Sequence, residues 1–330
     1  MRFKSTLLTA TAVMVLVMFG AGLATASEHK RTHKNAIVLA MFGTTVEPAL
    51  KGLLNIREEI NKAYPGTPVR IAFTSNIIRR IWQKRAKDPG YRQAHRNVPA
   101  DILHVQGPLA TIANLQDMGY DTIVVQPTHI APAEEYLDLC EYIRGLNSIK
   151  TIKARFMPFH KLVVGRPALG TFGPRHPYEK DIKAVVKALA SDAALAKKEH
   201  AALVYMGHGN DYFPSGGSYL QFEEEMRKAY PDVMTFIGTV EGFPGLDDLM
   251  AKLKHAGIKK VVLKPMMVVA GDHAMNDMAG PDPDSWKSVM TKAGIKVVPI
   301  LHGLGEQDAF AQIFVKHAAD AAADNGIKLQ

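Results

Sequence analysis

The 330-residue sequence predicts an α/β protein made of two similar Rossmann-like or flavodoxin-like lobes, each built on a parallel sheet, with a cleft between them. Three observations carry that expectation. Short apolar runs close on glycine: residues 36–41 lead into Phe42-Gly43-Thr44, and residues 201–206 into Gly207-His208-Gly209. Such runs suit strands covered on both faces, and the glycines let the backbone turn sharply beside a ligand. Amphipathic segments alternate with the runs, as βαβ units require. Finally, the halves share words in register. Lys62-Ala63-Tyr64-Pro65 returns as Lys228-Ala229-Tyr230-Pro231, residues 119–127 match 257–265 at identical spacing, and Met41-Phe42-Gly43-Thr44 aligns with Tyr205-Met206-Gly207-His208. An internal duplication is the simplest source of three matches in one order.

The N-terminus opens with Arg2 and Lys4, continues through an apolar run at about residues 7–23, and reaches Ala24-Thr25-Ala26. This is the pattern of a secretory signal peptide over residues 1–26, and the small residues favour cleavage over a retained membrane anchor. A polar tail follows at 27–35. The expected mature chain has no second long apolar segment, so it is exported, periplasmic in a Gram-negative source, and free of the membrane after cleavage.

The N-terminal lobe is expected over residues 36–170. After the first strand, residues 48–64 carry a helical stripe of Leu53, Ile56, Ile60 and Ala63, stopped by Pro65-Gly66. A strand at 69–73 precedes a basic helical segment at 77–87. A helix at 109–118 ends at Gly119, a strand spans 122–127, and Thr128-His129 stands at its exit. Residues 132–146 read as a helix and 149–156 as a weaker fourth strand. The Gly-, Pro- and base-rich stretch 158–177 reads as the interdomain connection. The C-terminal lobe, 171–330, repeats the order with strands at 201–206, 233–237 and 260–265 and helices at 221–230 and 246–256. Its last helix, at about 305–327, is expected to pack back on the N-terminal lobe.

Composition narrows the function. Cys140 is the single cysteine, so no intramolecular disulfide forms, and its place in a helical pattern suits a core thiol. Net charge is +8, or about +6 without Arg2 and Lys4, an excess that suits an anionic ligand. The basic residues are scattered without any nucleic-acid motif, which excludes nucleic acid as a partner. Covalent c-type haem is excluded by the absence of CxxCH.

Three ionisable groups fall just past successive strands of the second half: His208, Glu241 and His273. In a parallel sheet they gather at the carboxyl edge. Two imidazoles and a carboxylate can hold Co²⁺, Zn²⁺, Ni²⁺ or Fe²⁺, and the same groups can accept protons from a ligand. Both uses need neutral imidazole, whose reference pKa is about 6.5, so activity is expected to fall below that pH. No HExxH, CxxC or helical histidine pair accompanies them. His95, between Arg92 and Arg96, is a candidate surface ligand for an additional metal or a non-covalent haem.

Met206-Gly207-His208-Gly209, Gly238-Thr239-Val240-Glu241-Gly242 and Ala270-Gly271-Asp272-His273 with Asn276-Asp277-Met278-Ala279-Gly280 resemble the anaerobic sirohydrochlorin cobaltochelatases, class II tetrapyrrole chelatases. Phe42-Gly43-Thr44 and residues 73–80 also resemble that family, and the likeness runs from about Asn35 to the C-terminus. The resemblance implies a chelatase-like cleft between the lobes and ATP-independent insertion of Co²⁺ into sirohydrochlorin with release of two protons. It places His208, Glu241 and His273 at the metal. Phe42, Thr44, Ser75, Arg79, His129 and Met266 become candidate substrate-binding residues, with Arg79 and Arg80 suited to steering the acidic arms. Export departs from a family whose pathway is cytosolic. Two alternatives therefore stay open: an exported metal- or tetrapyrrole-binding carrier, and ferrochelatase-type insertion of Fe²⁺. A homo-oligomer is compatible with either.

Overall fold

The computed structural model describes residues 32–213 and 215–330; the expected signal peptide, 1–26, and residues 27–31 of the polar tail lie outside them. Two four-stranded sheets form the frame. The first contains β1 (Lys34–Met41), β2 (Val69–Phe73), β3 (Tyr120–Pro127) and β4 (Lys161–Val164), and the second β5 (Ala202–Gly209), β6 (Thr235–Glu241), β7 (Lys260–Met266) and β8 (Lys296–Pro299). Strand order is β2-β1-β3-β4 in one and β6-β5-β7-β8 in the other, and every pairing is parallel. The two sheets are one topology used twice.

Helices α1 (Leu50–Ala63), α2 (Asn76–Lys87), α3 (Pro89–Ala94), α4 (Ala100–Leu103), α5 (Pro108–Asp117) and α6 (Glu134–Asn147) belong to the first half. The second half has α7 (Tyr178–Ala188), α8 (Ala190–Lys198), α9 (Gly216–Ala229), α10 (Leu246–His255), α11 (Trp286–Lys292) and α12 (Asp308–Asp324). Among the described residues no helix is long and apolar enough to cross a membrane.

Alternation along the strands explains the layers. On β1, Ile37, Leu39 and Met41 face one core while Ala36, Val38 and Ala40 pack with Ile112, Leu115, Leu139 and Ile143 on the other face. On β5, Leu203 and Tyr205 join the core of Ile37, and Ala202, Val204 and Met206 pack with Leu249, Leu253, Trp286 and Met290. The inner faces of both sheets thus share one core, and Phe310 and Phe314 of α12 are buried in it. Truncating either phenylalanine to alanine removes about 3–5 kcal/mol of stability.

Helix α12 lies against α1 and β3 of the first lobe. Asn55 of α1 donates to the Gly305 carbonyl at 3.0 Å and to Asp308 at 3.1 Å. A buried ion cluster ties the halves together. Arg166, just after β4, donates to Asp181 of α7 at 2.6 and 2.8 Å and to Asp320 of α12 at 2.8 Å, while His317 approaches Asp181 at 3.2 Å. Burial alone would raise the Asp181 pKa, but the hydrogen bonds from Arg166 and His317 hold it down at about 2.

Two local expectations are corrected. Residues 149–156 do not form the fourth strand: Ala154–Phe156 is a 3-10 turn, with Ile152 and Phe156 exposed. The fourth strand is β4, inside the stretch read as a connection, where Leu162 is buried and 161–164 pair with Thr122–Val125. Spaced isoleucines without a sheet face to cover them do not make a strand. The short β8, too brief to stand out as an apolar run, was not anticipated.

Candidate functional site

The carboxyl ends of β5, β6 and β7 are aligned by register: Gly207 pairs with Thr239 and Met266, and Gly209 with Glu241. His208 is therefore the penultimate residue of β5 and Glu241 the last of β6, and neither is a loop residue beyond its strand. Gly209 makes this possible. Its φ is +74°, and a Cβ there would sit 1.8 Å from the Glu241 carbonyl oxygen, so only glycine allows the two strand ends this close. His273 arrives from β7 through a loop and precedes the π-turn Ala274–Met278.

The two imidazoles meet edge to face, with ring centroids 4.9 Å apart and planes at 87°. Each is anchored through Nδ1. His208 Nδ1 lies 2.9 Å from the Gly209 carbonyl and His273 Nδ1 lies 2.5 Å from the Asp277 carboxylate. A carbonyl or carboxylate accepts, so Nδ1 is the donor in both rings and, in the neutral imidazole, Nε2 is the nitrogen with a lone pair for a ligand. Asp277 is four residues after His273, a spacing that a helical turn brings together; the sequence showed the residue but not its service to the ring.

Beside the pair opens a cavity of about 440 Å³ between the sheet ends. Phe42, Thr44, His129 and Met266 line it along with His208 and His273, and Phe42 lies 6.2 Å from His208 between ring centroids. Ile77, Ile78 and Ile81 from α2 and Met267, Val268 and Val269 give it a largely apolar wall. Such a lining suits a large flat apolar ligand held by few polar groups. Glu135, Tyr219 and Asp272 also line it, and none of them could be singled out from residue type alone.

Other candidates are placed elsewhere. Glu241 stands 3.9 Å from His208 Nδ1, is 43% exposed, and does not line the cavity. Among the described residues no group of three His, Cys, Asp or Glu side chains is already arranged to hold one ion. Ser75 is the N-cap of α2, its hydroxyl accepting from the Ile78 N–H. Arg79 donates to the carbonyls of Phe73 and Thr74 and to Asn76, and its guanidinium packs over Gly107. Neither lines the cavity, and no Lys or Arg does. On the same helix Arg85 donates to the Thr45 carbonyl and Trp82 to that of Thr44. His95 lies outside the cavity, stacked 4.1 Å from Tyr91 with Nδ1 2.7 Å from Glu47. Cys140, on α6, is half-buried, and its pKa is raised chiefly by burial.

His129 differs from all of these. Both of its ring nitrogens are buried in the cavity wall without a hydrogen-bond partner, and burial pushes its pKa down to about 4. Each unpartnered buried nitrogen costs about 1–3 kcal/mol.

A duplicated parallel α/β frame with an anchored imidazole pair over an apolar cavity defines a protein that brings a metal ion and a flat organic ligand together. The chain belongs to the cobalt chelatase (CbiK) family, whose model matches residues 35–323. It is 32% identical over 300 residues to sirohydrochlorin cobaltochelatase CbiKC of Nitratidesulfovibrio vulgaris, covering 90% of this chain and 95% of that protein. It is 29% identical over 290 residues to sirohydrochlorin cobaltochelatase of Salmonella typhimurium, covering 87% and 96%. Among solved structures, SirB of Bacillus subtilis with Fe³⁺ shares the fold at a TM-score of 0.54 and 12% identity, with 90% of this chain and 100% of that one covered. The cobalt complex of SirB from Bacillus subtilis subspecies spizizenii gives a TM-score of 0.52 at the same identity and coverage.

Proposed function

We propose that this protein inserts Co²⁺ into sirohydrochlorin without ATP, the ring losing two protons as the ion enters. The observation that carries this reading is the imidazole pair: two rings 4.9 Å apart, each tied through Nδ1, offer two Nε2 lone pairs at the cavity. Cobalt is the substrate ion, and imidazole nitrogen suits it. In this reading His208 and His273 receive the ion and pass it to the ring nitrogens, and Phe42 and the α2 isoleucines lie along the ring. Glu241, outside the cavity and beside His208, attracts the incoming dication and balances the charge of the loaded pair. With no Lys or Arg in the lining, the acidic arms point outward to solvent. The N-terminal pattern supports export, so the reaction is placed outside the cytosol.

Purified protein mixed with sirohydrochlorin and Co²⁺ tests the proposal by its absorption spectrum. Conversion of many equivalents of macrocycle per protein is expected. A change that stops at one equivalent would make the protein a carrier, and faster turnover with Fe²⁺ would make it a ferrochelatase-type enzyme.

A further inference from the structure

We propose that the loop 148–156 docks this protein on a phospholipid surface that carries anionic headgroups. The loop is the stretch whose spaced isoleucines find no sheet to cover them. It runs from α6 towards β4, and both ends are held: Asn147 donates to the Leu162 carbonyl at 2.9 Å, and the His160 N–H to that of Asp121 at 2.7 Å. Between those anchors the backbone turns on itself, the Ile149 N–H donating back to Leu146 and the Phe156 N–H to Lys153. The fold therefore carries this loop in a fixed shape without using it to close a core. Ile149, Ile152 and Phe156 join none of the hydrophobic clusters; Ile152 is fully exposed, Phe156 62% and Ile149 42%.

Charge indicates what covers these side chains. Residues 142–178 contain no Asp or Glu, whereas Lys150, Lys153 and Arg155 alternate with the three apolar residues. Lys150 and Lys153 are exposed and have no side-chain partner among the described residues, and the Arg155 guanidinium lies over the Phe156 ring, 5.0 Å from its centroid. A protein interface is depleted of lysine, so this mixture fits a partner protein poorly. It fits an anionic bilayer surface well: isoleucine and phenylalanine enter the boundary between headgroups and acyl chains, while lysine stems reach along them and leave their ammonium groups at the phosphates. No spanning segment is needed, so a chain expected to leave its membrane after cleavage can still return to the membrane surface. None of residues 148–156 lines the cavity, which keeps docking separate from the chemistry.

The test uses the chain from residue 27 on, which keeps the compact unit His33–Gln330 and leaves out the apolar N-terminal run. Vesicles of phosphatidylglycerol and phosphatidylcholine are expected to sediment the parent, phosphatidylcholine vesicles to leave it in solution, and added salt to release it. Lys150→Glu with Lys153→Glu is expected to weaken binding to the anionic vesicles by about 10–100-fold, and Ile152→Ser with Phe156→Ser on the order of tenfold, both at the parent's melting temperature. The serine pair separates insertion of apolar side chains from attraction of charge alone. A parent that ignores anionic vesicles, or sediments equally with both kinds, overturns the proposal, as does either pair of substitutions binding like the parent. Self-association of the parent without vesicle binding, lost in the serine pair, would give the loop to a second copy of the chain and overturn the lipid partner.

Discussion

The two lobes have the same strand order, yet their matching strand ends are put to opposite uses. In the first lobe Phe42-Gly43-Thr44 closes on itself: Thr44 is buried, its hydroxyl accepts from the Val46 N–H at 3.1 Å, and its carbonyl accepts from Trp82 at 2.9 Å. Gly43, at φ +98°, has the Phe73 ring 2.7 Å from where a Cβ would be. In the second lobe Met206-Gly207-His208 ends in a side chain that is 30% exposed, bonded to its neighbour's carbonyl and facing a second imidazole. Symmetric positions hold up the fold and the asymmetric ones carry the chemistry. Arg79, Arg85 and Trp82 make the same point, since their donors satisfy backbone carbonyls of the first lobe and leave the cavity without a cation.

The comparison breaks most sharply at His208. His208→Ala is expected to lower the Co²⁺ insertion rate by on the order of 10²–10⁴-fold with an unchanged melting temperature, and His273→Ala to behave alike. Near-parental turnover with either would remove the imidazole pair from the reaction. The junction between the lobes is next. Asp181→Asn leaves the buried Arg166 with Asp320 as its remaining anion and is expected to cost about 1–3 kcal/mol by chemical denaturation. Because the Asp181 carboxyl is held down at about 2, its contribution is fully present above the ordinary carboxylate pKa near 4 and is lost as pH falls from there towards 2. An acid-unfolding midpoint that does not move in Asp181→Asn would show that this cluster does not link the lobes.

A smaller effect separates the metal edge from its support. Asp277→Asn keeps the shape behind His273 but removes the anion, and Co²⁺ affinity measured by competition is expected to fall about 10–100-fold with little change in stability. Equal affinity would mean that the ring needs no carboxylate. The smallest effect belongs to the first lobe: Ser75→Ala removes the α2 cap and is expected to lower stability by about 1 kcal/mol while leaving macrocycle affinity unchanged. Weaker macrocycle binding at unchanged stability would return Ser75 to the site.

Strands β1, β3, β5 and β7 were legible because a strand buried on both faces writes an unbroken apolar run, and glycine marks where it stops. Their duplication announced itself in words such as Lys62-Ala63-Tyr64-Pro65 and Lys228-Ala229-Tyr230-Pro231. Residues 149–156 misled for a related reason, since Ile149 and Ile152 have the spacing of a strand while only β3 decides which segment it pairs with. His208 and His273 could be placed at one edge from strand order alone. Arg79 could not be assigned: a guanidinium that steers a substrate and one that caps a strand end look the same in sequence.

By itself, then, the sequence determined what is local and periodic: the parallel sheets, their repetition, and the strand ends at which the two imidazoles stand. Tertiary structure alone decided which ring nitrogens are tied to a neighbour, that Glu241 stands outside the cavity, and that His129 lines it with both nitrogens buried and unpartnered. Burial along a strand follows from neighbours two residues apart, whereas the partners of a polar group are set by segments distant in the chain, as when Arg166 meets Asp320. No residue carries that information in its own neighbourhood.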